Sequence, residues 1–397
     1  RLQKKTCAMN DKPSKGLLPP GMNDILPPDA AFETATVERL LSVFRGAGYE
    51  QVKPPLLEFE DSLLGGAGAA MTQQTFRLMD PASHAMLGLR ADMTLQVARI
   101  ATTRLDHEPR PLRLCYAGQV LQVSGSQMRP ERQVGQAGIE LIGSDLPRAD
   151  AEAIILAYEA LACLGVSKVS IDLNLPTLVT AVIEDLGLDD DVAALARAAL
   201  ARKDAGAIAA LGAGVSDVLG SLLKAAGPAD SALAALGKLK LPKSAMAACD
   251  RLGEVVALVR KDIPEIRLTI DPVENRGFEY HTGVAFVLFG IGVRGELGRG
   301  GRYLAGGGSN GTTFGVGISG NGGEPATGFT LFMDTVLRAV PPMDQPRRVY
   351  VPVDETAELR RALQGDGWIV VVGLEAVKDT GAEGLRLGCS QGATLPP

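Results

Sequence analysis

β-type sequence stops near residue 187 and resumes at Arg267-Leu-Thr-Ile-Asp271. The stretch between, to about 262, is rich in Ala and Leu, sprinkled with Asp and Lys, and poor in β-branched and aromatic residues. Ala and Leu enter a helix at little cost, whereas β-branched and aromatic side chains favour strands. Residues 187–262 therefore read as a helical insertion between two strands of one sheet, and that sheet is discontinuous in sequence.

The flanking periodicities fill in the rest. Residues 29–49 carry apolar positions at helical spacing, Asp29 as the N-cap and Gly46 and Gly48 at the far end, which predicts a first helix. Short β-like runs at 51–57, 74–79 and 86–91 precede a helix near 93–104. Strands near 111–122 and 132–143, a helix at 148–164 and a strand at 168–172 follow. After the insertion come strands within 267–304, a glycine-dense stretch at 295–328 and a helix at 329–339. Beyond Pro341-Pro342, a strand (347–353), a helix (355–364) and a strand (368–374) form a β-α-β unit too small to bury both faces of a sheet.

At 397 residues, 46% hydrophobic and 22% charged, the chain has the composition of a globular protein of two to three domains. No apolar run approaches the ~18 residues of a membrane span, and the Lys-rich start lacks the apolar centre of a signal peptide, so a cytoplasmic location is expected. Five widely spaced cysteines without CxxC and only three histidines argue against a disulfide framework or a zinc site. The net charge of −6 disfavours generic RNA binding; Arg129, Arg132 and Arg347-Arg348 are the nearest candidates for a local basic patch.

Three segments carry possible chemistry. The glycine-dense stretch contains no Lys and is no strand-to-helix GxGxxG turn, so its glycines serve turns and bulges between antiparallel strands. On a strand at 132–141, Arg132, Gln136, Gly138 and Glu140 share one face and Ala137, Ile139 and Leu141 the other. Gln136 and Glu140 then lie roughly 13 Å apart with glycine between them, leaving either a solvated face or room for a small polar ligand. In Arg276-Gly-Phe-Glu-Tyr280-His281, Arg276 can clamp a carboxylate bidentately or pair structurally with Glu274 or Glu279. His281 has no Ser or Cys nucleophile nearby in sequence and does not read as a catalytic base.

Taken together, the chain resembles the histidyl-tRNA synthetase family from about Leu17 to 340. The family's opening pattern appears as Pro20-Gly-Met-Asn-Asp-Ile-Leu-Pro27 and its Leu-Arg-Pro-Glu-Gly-Thr motif as Leu89-Arg-Ala-Asp92-Met-Thr94. The second class II signature aligns without a gap over Leu114 to Gly143. The histidine-specific Arg-Gly-Leu-Asp-Tyr-Tyr appears as Arg276-Gly-Phe-Glu-Tyr280-His281, and Gly-Gly-Arg-Tyr as Gly300-Gly-Arg-Tyr303. The resemblance implies an α+β fold of the class II aminoacyl-tRNA synthetase type, a mixed antiparallel sheet flanked by helices, and a dimer. The expected divisions are a flexible tail (1–16), a synthetase-like core (17–340) containing the insertion 187–262, and a truncated C-terminal α/β unit (345–397).

Where the family reads Phe-Arg-x-Glu, gripping the α-phosphate and adenine of ATP, this chain has Leu121-Gln122-Val123-Ser124; where a third motif supplies an arginine for the γ-phosphate, it has Thr335. Gln122, Ser124 and Thr335 thus mark lost ATP contacts, and adenylation is expected to fall by orders of magnitude. The positions that hold the amino acid in the family persist as Asp92, Thr94, Gln136, Glu140, Arg276, Tyr280 and Tyr303, with His281 replacing a second tyrosine near the imidazole. No catalytic residue is expected.

This pattern of loss and retention resembles the regulatory subunits of ATP phosphoribosyltransferase, a branch of paralogues in histidine biosynthesis. The resemblance implies assembly with the short catalytic phosphoribosyltransferase chain, feedback inhibition with L-histidine as allosteric ligand, and no other cofactor. It implies no tRNA partner, since 345–397 match only a fragment of an anticodon-binding domain, and no membrane association. The competing readings are a divergent histidyl-tRNA synthetase and a stand-alone histidine-binding paralogue.

Overall fold

A computed structural model of the chain describes residues 16–64, 71–125, 129–274, 277, 280–306, 316–317, 323–342 and 347–389. The first helix, α1 (Asp29–Gly46), buries Leu40, Leu41 and Phe44. Asp29 is not its N-cap: Pro28 takes that position without a side-chain bond, and Asp29 instead gives the first turn its negative charge. The run expected at 51–57 is broken by Pro54 and Pro55, which have no N–H for a ladder. It leaves only β1 (Glu50–Gln51) and β2 (Leu57–Phe59). After α2 (Glu60–Leu63), β3 (Phe76–Met79) and β4 (Met86–Leu89) close a three-stranded antiparallel sheet in the order β2-β4-β3.

The following elements fall close to their expected spans: α3 (Thr94–Thr103), β5 (Leu112–Leu121), β6 (Gln133–Ile142), α4 (Pro147–Cys163) and β7 (Val169–Asn174). Then come α5 (Pro176–Asp185), α6 (Asp190–Ala201), α7 (Ala205–Ala209), α8 (Ala213–Lys224), β8 (Gly227–Pro228), α9 (Ala229–Leu236) and α10 (Lys243–Asp262). The two-residue β8, unexpected in a helical stretch, pairs antiparallel with β9 (Arg267–Asp271). In turn β9 lies parallel to β7, so 187–262 do lie between two neighbouring strands of one sheet.

The core continues with β10 (Ala285–Gly290), β11 (Glu296–Ala305), β12 (Val316–Gly317), β13 (Glu324–Phe332) and α11 (Met333–Ala339). The helix expected from 329 starts only at Met333. Residues 329–332 are strand because β13 is hydrogen-bonded on both sides, to β6 and to β11, and tertiary pairing overrides the local helical periodicity. The large sheet has ten strands in the order β1-β5-β6-β13-β11-β10-β7-β9-β8, with β12 on β11; β1–β5 and β7–β9 are parallel and the remaining pairs antiparallel.

The faces of β6 differ as expected. Ala137, Ile139 and Leu141 join Phe44 of α1, Ile154 and Leu161 of α4 and Val255 of α10 in the main apolar core. The opposite face meets α3, where Val97 and Ala98 pack with Tyr116 and Tyr303. The last helix of the insertion thus belongs to the core layer. No helix among the described residues is long and apolar enough to cross a membrane.

Contacts divide the chain at Pro341/Pro342. The smaller unit contains β14 (Arg348–Val351), α12 (Ala357–Gly365), β15 (Ile369–Val372) and α13 (Thr380–Arg386), the last unforeseen in the sequence. β14 and β15 pair in parallel, and Val349, Val351 and Leu363 form their small core with Trp368 and Val370 against it.

Candidate functional site

The polar face of β6 is buried, not solvated: Gln136 is 3% and Glu140 1% exposed. Pairing registers place its neighbours. One row across the sheet runs Leu114, Glu140, Gly328, Gly301, Ala285, and the next Tyr116, Gly138, Thr330, Arg299, Val287. Three glycines interrupt these rows, so a cavity opens above them. Its walls include Asp92, Thr94, Glu140, His281, Arg299 and Tyr303.

Glycine is required there. A Cβ on Gly301 would approach His281 Cδ2 to 2.6 Å, and one on Gly138 would meet the Tyr116 hydroxyl at 2.6 Å. A methyl on Gly328 would fall on Glu140 Oε2 and on the Ile139 carbonyl, neither able to retreat. Gly328→Ala is therefore expected to close the cavity floor and destabilise the chain by about 1–3 kcal/mol, the usual cost of overpacking. Thermal melts and ligand calorimetry on the variant check both effects.

At one end, Gln136 links β6 to the start of α3. Its Nε2 donates to Asp92 Oδ2 (3.0 Å), its Oε1 accepts from Met93 N (3.1 Å), and Asp92 Oδ1 accepts from Thr94 N (2.8 Å). The carboxylate is thereby fixed at a helix N-terminus and offers an acceptor to an ammonium group.

At the other end, Glu140 receives the Tyr303 hydroxyl on Oε2 (2.8 Å) and the Tyr116 hydroxyl on Oε1 (3.2 Å); Tyr116 is also 2.7 Å from Thr330 Oγ1. Burial pushes the Glu140 carboxyl up to about 8, and the Asp92 charge adds to the rise, while hydrogen bonds from Tyr303, Thr94 and Tyr116 draw it down. Burial and the Glu140 charge raise Tyr303 well above the ordinary phenol range, so it stays a donor. A carboxyl poised near neutrality can accept from a ring N–H or share its proton with a ring nitrogen. Tyr280 stacks on His281 with centroids 4.3 Å apart and meets Tyr303 edge-on at 6.2 Å, forming an aromatic wall.

Of the residues singled out in the sequence, Asp92, Thr94, Glu140, Tyr280, His281 and Tyr303 line this one cavity, and Gln136 orients Asp92 behind it. Arg276 lies outside the described residues. Sequence reading missed Tyr116, Thr330 and Arg299. Tyr116 is signalled only by its position on the strand beside β6; Arg299 is hidden among glycines.

A second cavity adjoins the first and holds Gln122 and Ser124, together with Arg129, Glu131, Glu296 and Arg299. Arg129 forks onto Asp334 (3.2 and 3.3 Å) and covers the Phe332 ring. Thr335 is fully buried and accepts from Arg338 (3.2 Å). Arg132 bonds the Gln122 carbonyl and lies over Phe76, and in the smaller unit Arg347 lies over Trp368. The arginines considered for a basic patch are thus engaged within the chain.

The sequence pattern of the histidyl-tRNA synthetase family matches residues 21–336. The ATP phosphoribosyltransferase regulatory subunit of Paramagnetospirillum magneticum is 53% identical over 381 residues, covering 96% of this chain and 97% of its own. That of Rhodospirillum centenum is 52% identical, over 95% of this chain and 94% of its own. Among solved structures, an ATP phosphoribosyltransferase regulatory subunit/histidyl-tRNA synthetase from Bacillus halodurans C superposes with a TM-score of 0.78 at 23% identity, over 94% of this chain and 97% of the other. At that identity the likeness speaks to the fold, a class II synthetase-like α+β architecture.

Proposed function

The chain belongs to the histidyl-tRNA synthetase family and, within it, to the ATP phosphoribosyltransferase regulatory subunits, and from that membership we propose that it is a non-catalytic, histidine-sensing subunit. Its partner is the short catalytic chain that condenses ATP with phosphoribosyl pyrophosphate. This chain is required for that activity and brings it under feedback inhibition by histidine.

What supports this above the rest is one cavity that gathers Asp92, Thr94, Glu140 and Tyr303, beside a second in which Gln122 and Ser124 stand where the resemblance implies ATP contacts. Asp92 takes the ammonium, Glu140 with Tyr303 takes the imidazole, and Arg276 is the carboxylate partner that the resemblance implies. Next door, Gln122 and Ser124 replace an arginine and a glutamate, and the buried Thr335 replaces the third-motif arginine. Two guanidinium groups and a base contact are missing from the transition state, each worth about 1.5–3 kcal/mol or more. Histidine can bias the partner only by the difference in its affinity for two assembly states. Self-association as a dimer and a cytoplasmic location go with this reading, and the net charge of −6 accords with the absence of tRNA.

The test is histidine-dependent ATP–pyrophosphate exchange by the chain alone. No exchange above background is expected, while calorimetry on the same preparation registers histidine binding. Exchange at a synthetase's rate would make the chain a divergent histidyl-tRNA synthetase instead.

A further inference from the structure

A zwitterionic ligand needs a cation, and among the described residues lining the amino-acid cavity only Arg299 is an arginine or lysine. It stands one row from Glu140 and two strands over, on the same face of β11 as Gly301 and Tyr303. Asp92, Glu140 and Arg299 thus mark three corners of the cavity: an acceptor, a proton-sharing acid and a cation.

Local structure aims this arginine. Glu296, three residues earlier on a strand, should point to the opposite face. The ladder between β10 and β11 slips, however: Leu288 pairs with Gly298 and Phe289 with Glu296, so Leu297 is skipped. This bulge turns Glu296 to the Arg299 side, where its carboxylate forks onto Nε (3.0 Å) and Nη2 (2.7 and 2.8 Å). Nη1 donates to the Gly277 carbonyl (3.1 Å), three positions before Tyr280 in the sequence. A guanidinium fixed in this way loses little side-chain freedom when it meets a further carboxylate.

We propose that Arg299 is a further cation on the carboxylate of the bound amino acid, in addition to the Arg276 that the resemblance implies, with Glu296 and the Gly277 carbonyl as its positioning groups. The proposal rests on the reading of the cavity as a histidine site and names a residue which that reading leaves unassigned.

The test uses the full chain and two ligands, L-histidine and its decarboxylated analogue histamine, titrated calorimetrically. Wild-type chain should prefer histidine, and R299Q should weaken histidine by about ten- to a hundredfold while leaving histamine unchanged. The Arg299 side chain is 31% exposed, which favours folding of the variant, and R299K, which keeps the charge without the fork, should lose less. Unchanged histidine affinity in R299Q overturns the proposal alone. Equal losses of both ligands also overturn it, by showing that Arg299 merely holds Gly277 in place. A wild-type chain that binds neither ligand removes the histidine reading and this inference together.

Discussion

Glu140→Gln is expected to weaken the response to histidine about ten- to a hundredfold and, at the same time, to make the ligand-free chain more resistant to heat at pH 8. Burial is the main reason that the Glu140 carboxyl titrates at about 8 rather than 4.5. The folded chain therefore holds this proton more tightly than the unfolded chain. Stability is then fully present below about pH 4.5 and is lost as the pH rises toward 8. At about 1.4 kcal/mol per pH unit, the ionised acid costs the empty fold on the order of 4 kcal/mol by pH 8. Gln keeps the shape and has no proton to lose, so the melting temperature of E140Q should stay nearly flat where that of the wild type falls. The same change removes a charge-assisted bond to the ligand, worth roughly 1.5–3 kcal/mol, or about ten- to a hundredfold in affinity. Scanning calorimetry from about pH 5 to 9 decides the matter; parallel pH profiles for the two chains would show that Glu140 is not the strained acid described.

Asp150→Ala is expected to destabilise the chain strongly. Asp150 of α4 is 2% exposed and takes Nε of Arg302 at 2.9 Å and Nη2 at 2.8 Å. It also accepts from Arg251 of α10 at 3.1 Å, which ties the insertion's last helix to the sheet. Removing it leaves Arg302, 4% exposed, without its buried counter-charge. Breaking one partner of a buried pair costs about 3–5 kcal/mol, which corresponds to roughly 4–6 °C in melting temperature for a chain of this size. Arg302 precedes Tyr303 on β11, so histidine affinity should fall with it. Urea melts of D150A check the first effect, and a loss below about 1 kcal/mol would mean that this network does not hold the layers together.

Much of this was legible beforehand because it is local. The two faces of β6 follow from period-2 alternation, and the helical insertion follows from a shift in composition. What resisted reading depends on pairing across long separations. Residues 329–332 look helical until β6 and β11 flank them. The polar face of β6 could be solvated or buried until α3 covers it. Arg299 acquires its direction only through a bulge that no periodicity announces, and Tyr116 enters the site because Gly138 stands opposite it. The Asp150–Arg302 pair joins residues 152 positions apart. The aromatic wall at Tyr280 and His281 was reachable only by likeness to the synthetases.

The most direct measurement is phosphoribosyl-ATP formation by the short catalytic subunit of the same organism, with and without this chain, across a histidine titration. The account predicts activation by the chain, reversal of that activation by histidine, and a shift of the reversal to about ten- to a hundredfold more histidine in E140Q. A catalytic subunit indifferent to the chain would contradict it, as would inhibition that persists unchanged when Glu140 is replaced.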